Sequence, residues 1–288
     1  MQKSAAFNQV DPDRVDIFRD MVLTTFDILS EQKDLSPNNE IVTRVLSAFV
    51  PAVTSNDTIF TKEEKGRLLQ DRDIQNIRQP LLDILSRAEY EMELHFSNKF
   101  LAQGDKLDKS LKDFWYLDNY KALMDAEIDA LHKGKASDHV YFVGSGPLPL
   151  SAIIMHHKTG AKITCVDIDP DAIDRSQKLI KNLGLEDKFN FVCANGDQVD
   201  YKDASVVLLA SLVPNKRDVL KKIEQTSQKS PEIAVRTAYG LNTLLYQPVK
   251  RHDLKRQFNL RVKKRTQIDP HVINSTWVCK MAPKTPKF

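Results

Sequence analysis

The sequence predicts an α/β protein, a Rossmann-like, doubly wound parallel sheet preceded by an all-helical N-terminal domain. Three observations carry that expectation. Up to about residue 135 apolar residues recur at helical spacing with almost no strand pattern. A polar, turn-forming stretch, HKGKASDH at 132–139, follows. Beyond it, short continuously apolar runs alternate with helical stretches, as strands buried on both faces do. The expected division is a helical domain over residues 1–135 and a Rossmann-like domain over residues 136–288.

In the first half, Val15, Phe18, Val22, Phe26 and Leu29 fall on one helix face. Residues 41–53, IVTRVLSAFVPAV, form a second apolar segment, interrupted at Pro51. Residues 74–101 read as a longer helix with a break near Pro80. Leu81, Leu82, Leu85, Ala88, Met92, Leu94 and Phe96 supply its apolar positions. QGDKLDKSLKD is a loop, and Asp118 or Asn119 can cap a further helix, YKALMDAEIDALH. In the second half, residues 140–143 are a short buried strand, followed in VYFVGSGPLPLSAIIMHHKTG by a glycine turn and an apolar helix. AKITCVDIDPDAI, KFNFVCANGDQ and ASVVLLASLVP each supply a strand and a turn, and IAVRTAYG and STWVCKM supply later strands.

Composition narrows the class. The 288 residues carry 42 Lys+Arg against 39 Asp+Glu, a net +3 too near neutral to imply nucleic acid or an anionic membrane. The basic tract KRHDLKRQFNLRVKKR at 250–265 lacks interleaved aromatic platforms and reads as decoration of a helix and an edge strand. Cys165, Cys193 and Cys279 are far apart with no CxxC, which fits neither a zinc site nor a disulfide framework. His156 and His157 are adjacent on a helix and face different directions, so no metal site is expected. No run approaches the ~18 apolar residues of a membrane span, and the first 15 residues lack a leader's apolar core. A cytoplasmic protein acting on small molecules is expected, with a homodimer left open.

Gly144-Ser145-Gly146-Pro147 opens a helix directly after the first strand. Gly144 permits the tight turn and Gly146 lets the backbone approach a ligand at a helix N-terminus. Pro149 replaces the third glycine of the dinucleotide fingerprint, which argues against a nicotinamide cofactor. Asp167 ends the second strand 23 residues after Gly144, where such folds place a carboxylate for ribose hydroxyls. Asp197 follows the third strand, in reach of an adenine, and Ala210 after the fourth completes the candidate donor-binding set. No phosphate loop of the Lys-Ser/Thr kind is present, so S-adenosylmethionine fits better than ATP.

With these residues in view, VYFVGSGPLPLSAI, VRTAYGLNTLLYQPV and HVINSTWVCKM resemble the nicotianamine synthase family. That family includes bacterial enzymes making opine-type metallophores. The resemblance extends through SRAEYEMELHF and FWYLDNYKALMDAE to cover about residues 75–280. It implies transfer of a 3-amino-3-carboxypropyl group from S-adenosylmethionine, as substrate, to an amine, releasing methylthioadenosine. Class I methyltransferases on the same kind of fold transfer the methyl group instead. Nicotianamine or a related metal chelator is the implied product. Single-round transfer to histidine or another amino acid, and a small-molecule methyltransferase, are the alternatives.

Displacing a neutral thioether from a sulfonium needs position, desolvation and a proton acceptor. Glu89 and Glu93 lie at i and i+4 on one helix face. The resemblance matches Glu93 to the carboxylate aimed at the substrate amine, with Glu89 as its alternate. It likewise matches Tyr116 and Tyr120 to tyrosines of the site. Arg236 ends a strand and can pair with a substrate carboxylate or form a structural salt bridge. Tyr239 stands where plant-type members carry histidine, which bears on acceptor identity. The helical domain is expected to close over the donor site, with the acceptor between the two.

Overall fold

The computed structural model describes residues 13–103, 117–131, 138–258, 260–266 and 272–281. Four helices open the chain: α1 (Arg14–Ser30), α2 (Glu40–Ile59), α3 (Lys62–Gln70) and α4 (Arg72–Gln103). Asp13, Asn39 and Thr61 cap the first three, Thr61 forming a reciprocal capping box with Glu64. The breaks expected at Pro51 and Pro80 do not occur, and α2 and α4 run through both prolines. Each proline faces solvent, so the carbonyl that loses its helical partner can be hydrated while the buried face keeps its packing.

The next helix, α5 (Leu117–Ala130), leads to a sheet whose strands alternate with helices. In chain order these are β1 (His139–Val143), α6 (Leu150–Thr159), β2 (Lys162–Asp167), α7 (Pro170–Asn182), β3 (Phe189–Cys193) and β4 (Val206–Leu209). Then come α8 (Lys216–Thr226), β5 (Glu232–Thr237), a 3₁₀ turn at Gly240–Leu244, α9 (Arg251–Gln257), β6 (Leu260–Arg265) and β7 (Ser275–Met281). The seven strands lie in the order β3-β2-β1-β4-β5-β7-β6. Strands β1 to β5 are parallel, whereas β7 pairs antiparallel with both β5 and β6. The doubly wound parallel sheet expected is formed by β1 to β5; the nine residues separating β6 from β7 are too few for a parallel crossover, so β7 runs antiparallel to its neighbours. The basic tract at 250–265 forms α9 and the edge strand β6.

Alternation along the strands sends side chains to two cores. Tyr141, Val143, Val207, Leu209, Ile233 and Val235 pack with α8 and α9, while Val140, Phe142, Ile163, Cys165, Leu208 and Ala234 pack with α5 and α6. A third core joins α1 to α4 and takes in Leu241, Leu244, Leu245, Tyr246 and Ile273 from the second half of the chain. Packing thus crosses residue 135 in both directions, since α5 lies on the sheet. Helix α4, about 48 Å long at 1.5 Å per residue, belongs to both parts. Its first half, through Ala88, sits in the helical core, and Phe96 and Phe100 pack against Leu148, Leu150 and Leu179. Between those two contacts it passes over the carboxyl edge of the sheet. Among the described residues no helix is long and apolar enough to cross a membrane.

Candidate functional site

In an open α/β sheet, ligands sit beyond the carboxyl ends of the strands where the chain order reverses. Here that point lies between β1 and β4, and a cavity of about 440 Å³ occupies it. Its walls come from the ends of five parallel strands, from the segment before β7, and from residues 86–93 of α4.

The turn after β1 is built from two glycines in left-handed conformation, Gly144 at φ 76° and Gly146 at φ 67°, which side chains rarely adopt. A Cβ on Gly144 would stand 2.6 Å from Val213 Cγ2, and one on Gly146 would collide with the Glu93 carboxylate. The turn is pinned from below. Gly144 N–H donates to the Val166 carbonyl at 2.8 Å, Gly146 N–H donates to Asp167 Oδ2 at 2.8 Å, and the Ser176 hydroxyl donates to the Gly146 carbonyl at 2.7 Å. Asp167 also accepts from Asp169 N–H at 3.1 Å. Burial raises its carboxyl above the usual range against those stabilising backbone bonds.

Opposite the turn, α4 presents Glu89 and Glu93 one helical turn apart. The Tyr120 hydroxyl donates to Glu93 Oε1 at 2.7 Å, and the Tyr246 hydroxyl donates to Glu89 Oε2 at 2.7 Å. Burial, reinforced by the nearby Glu89 charge and opposed by the Tyr120 hydrogen bond, pushes the Glu93 carboxyl up to about 8. Burial raises Glu89 too, against the Tyr246 hydrogen bond and the Arg236 charge. Among ordinary carboxylates near 4.3, Glu93 is therefore poised to exchange a proton near neutral pH.

Arg236 lines the same cavity but is held by a buried partner. Its Nε and Nη2 each donate to a Glu127 oxygen at 3.0 Å, and Nη2 also donates to Ser151 Oγ at 3.0 Å. Glu127 is fully buried and accepts a further bond from the Thr276 hydroxyl. Burial works against the Arg236 charge, yet the Glu127 pair outweighs it and raises the guanidinium's pKa. The salt bridge expected as one role of Arg236 is present, and the side chain also lines the cavity, where the substrate role was placed.

Of the remaining expected positions, Ser145 lines the cavity with Gly144, Gly146 and Asp167. Pro147, Asp197 and Ala210 are not among the lining residues; Ala194, Asn195 and Gly196 form the wall beyond β3. Ala210 acts on the turn itself, donating to the Val143 carbonyl at 3.0 Å. Tyr239 lies away from the cavity, 54% exposed, with the Arg265 guanidinium 4.4 Å from its ring centre. Tyr116 falls outside the described residues.

Several lining groups escaped the sequence reading: Tyr246, Asn119, Asn274, Ser151 and Asn195. Tyr246 lies in the LLYQPV stretch already conspicuous in the sequence, yet no local pattern pairs it with Glu89. Lys216 was missed as well. It opens α8 and donates to the Ser211 and Val213 carbonyls at 2.6 and 2.7 Å, fixing the cavity's β4 wall, and burial lowers its pKa to about 7. Among the described residues no cluster of three His, Cys, Asp or Glu side chains could hold a metal ion.

A family model for nicotianamine synthase protein matches residues 12–285. The L-histidine 2-aminobutanoyltransferase of Pseudomonas aeruginosa (strain UCBPP-PA14) is 30% identical over 61% of the chain and 64% of its own length. The chain thus matches just under two thirds of that relative. The nicotianamine synthase of Solanum lycopersicum is 32% identical over 73% of the chain and 68% of its own length. A crystal structure of MtNAS in complex with MTA and tNA superimposes with a TM-score of 0.79 at 21% identity, covering 93% of this chain and 98% of that one. A glutamate-to-glutamine variant of MtNAS in complex with S-adenosylmethionine also gives 0.79, over 93% and 99%. At such identity the structural likeness is one of fold, but the family match spans nearly the whole sequence: the chain belongs to the nicotianamine synthase protein family.

Proposed function

We propose that the protein transfers the 3-amino-3-carboxypropyl group of S-adenosylmethionine to the amine of a small amino-acid acceptor. The observation that carries this reading is the Glu93 carboxylate, raised to about 8 and held by Tyr120 directly over Gly146. The donor's nucleoside would lie against the 144–146 turn, Asp167 and Asn195, with its sulfonium toward α4. Glu89, Glu91, Glu93 and Asp167 line this cavity with Arg87 and with Arg236, which is paired to Glu127, so acidic groups predominate where a sulfonium and an ammonium would sit. A volume of about 440 Å³ lies within the range of small-molecule sites, on the order of 300–1,000 Å³.

In the step itself the acceptor nitrogen's lone pair forms a bond to the donor's γ-carbon. The carbon–sulfur bond breaks and its electron pair stays on sulfur, which leaves as neutral methylthioadenosine. The proton shed by the nitrogen passes to Glu93. Tyr120 holds that carboxylate in place, and α4, crossing the sheet edge, aims it at the donor turn. The complexes of MtNAS with S-adenosylmethionine, and with MTA and tNA, support the same donor here. Replacing Glu93 by Gln is expected to cut turnover about 100-fold or more while lowering S-adenosylmethionine affinity, read by calorimetry, far less. Equal losses in both would make Glu93 a structural residue.

Relatives named for nicotianamine and for L-histidine match at 32% and 30% identity, so repeated rounds ending in nicotianamine are the first reading and a single round on one amino acid the second. Mass spectrometry of products made with and without histidine separates the two. The reading holds for a monomer or a homodimer, which light scattering distinguishes.

A further inference from the structure

A second cavity, about 110 Å³, lies between α2, α4 and the residues flanking the 3₁₀ turn and β7. Its walls are apolar, with Leu35, Val42, Leu46, Val50, Leu85 and Ile273 prominent, and among the described residues no Lys, Arg or His lines it. It shares two residues with the reaction cavity, Glu89 and Tyr246. These are hydrogen-bonded to each other at 2.7 Å, so the pair stands at the junction of the two spaces. One water needs on the order of 10–15 Å³ of such volume, so the second cavity has room for a group of several heavy atoms. At its outer end Thr43 and Ser47 are exposed, so the cavity opens to solvent there.

We propose that this cavity is the subsite for the acceptor's side chain, and that it selects amino acids with a compact uncharged side chain, aliphatic or ring-shaped, imidazole included. The inference rests on the transferase reading above. Glu93 faces the donor turn while Glu89 stands one helical turn away, about 6 Å along the axis, at the mouth of the second cavity. An acceptor whose amine meets Glu93 therefore directs its side chain toward Glu89 and the apolar walls. A side-chain carboxylate placed there would meet the Glu89 carboxyl and find no cation among the described lining residues, and burying it unpaired is strongly unfavourable. An uncharged ring loses water at little cost and gains the apolar contacts, and an imidazole or hydroxyl can bond to the Glu89–Tyr246 pair.

The test measures methylthioadenosine release with histidine, phenylalanine, alanine and glutamate as separate acceptors. The uncharged side chains should exceed glutamate in kcat/KM by about tenfold or more. Ser47→Phe, which fills the cavity from its exposed mouth, should raise KM for the best of the larger acceptors by about tenfold and leave alanine's KM and S-adenosylmethionine affinity unchanged. Val50→Ala removes bulk instead and should move preference toward the larger side chain. Glutamate equal to or better than the uncharged acceptors, or KM values for large and small acceptors moving together in both variants, would overturn the subsite while leaving the transferase reading intact. No methylthioadenosine from the wild-type protein with any acceptor would overturn both.

Discussion

Glu89 and Glu93 divide one buried space between two tyrosine hydroxyls, and each carboxylate raises the cost of ionising the other. Glu89 adds to the burial that lifts Glu93 to about 8. The sign of its removal follows. Without the Glu89 charge Glu93 ionises more easily, so the base form appears at lower pH. Glu89→Gln should therefore move the acidic limb of the kcat/KM profile to lower pH, read as methylthioadenosine release across pH 6–9, a window of about one unit or more on either side of that limb. A limb that stays in place or moves upward would contradict a repulsion between the two carboxylates. At this scale the placing of the Gly144–Gly146 turn and Asp167 on one cavity wall was legible because it follows from local backbone demands within one βα unit. Tyr120 was named but its partner could not be read from spacing, since Glu93 lies 27 residues away. Tyr246, separated from Glu89 by 157 residues, was invisible because its role exists only after the chain has folded.

Helix α5 is tied to the sheet by a buried ionic cluster. Glu127 accepts from Arg236 on β5 and from Thr276 on β7, so one side chain ties three elements together. Breaking a buried pair leaves an uncompensated charge, so Glu127→Gln should lower stability in urea by about 3–5 kcal/mol. A loss below about 1 kcal/mol, the worth of a surface pair, would contradict this account of how α5 is held. Most elements were legible from apolar periodicity, including the edge strand in the basic tract. Pro51 and Pro80 were overread as breaks because sequence alone does not show which face of a helix is solvated. The antiparallel pairing of β7 was missed because a buried apolar strand reads the same in either direction, and only the short link from β6 sets its sense.

At the scale of the molecule the two halves of the sequence are not two halves of the structure. Helix α4 spans the helical core and the sheet edge, α5 packs on the sheet, and Leu241, Leu244 and Tyr246 complete the helical core. A fragment of residues 138–281 would expose those three side chains and lose α5. It should therefore lack a cooperative unfolding transition and bind an apolar dye that the full chain does not. Cooperative unfolding of the fragment would show that the sheet is an autonomous domain. Composition and periodicity made the α/β class and the helical start legible, but not the crossing of segments, which depends on contacts between distant parts of the chain. The same crossing places the α4 carboxylates over the glycine turn, and on that placement the proposed transfer depends. The measurement that bears on it most directly is chromatography of the nucleoside released when the purified protein is incubated with S-adenosylmethionine and a mixture of amino acids. Methylthioadenosine above the spontaneous background is the predicted result, whereas S-adenosylhomocysteine in its place would mean methyl transfer and contradict the account.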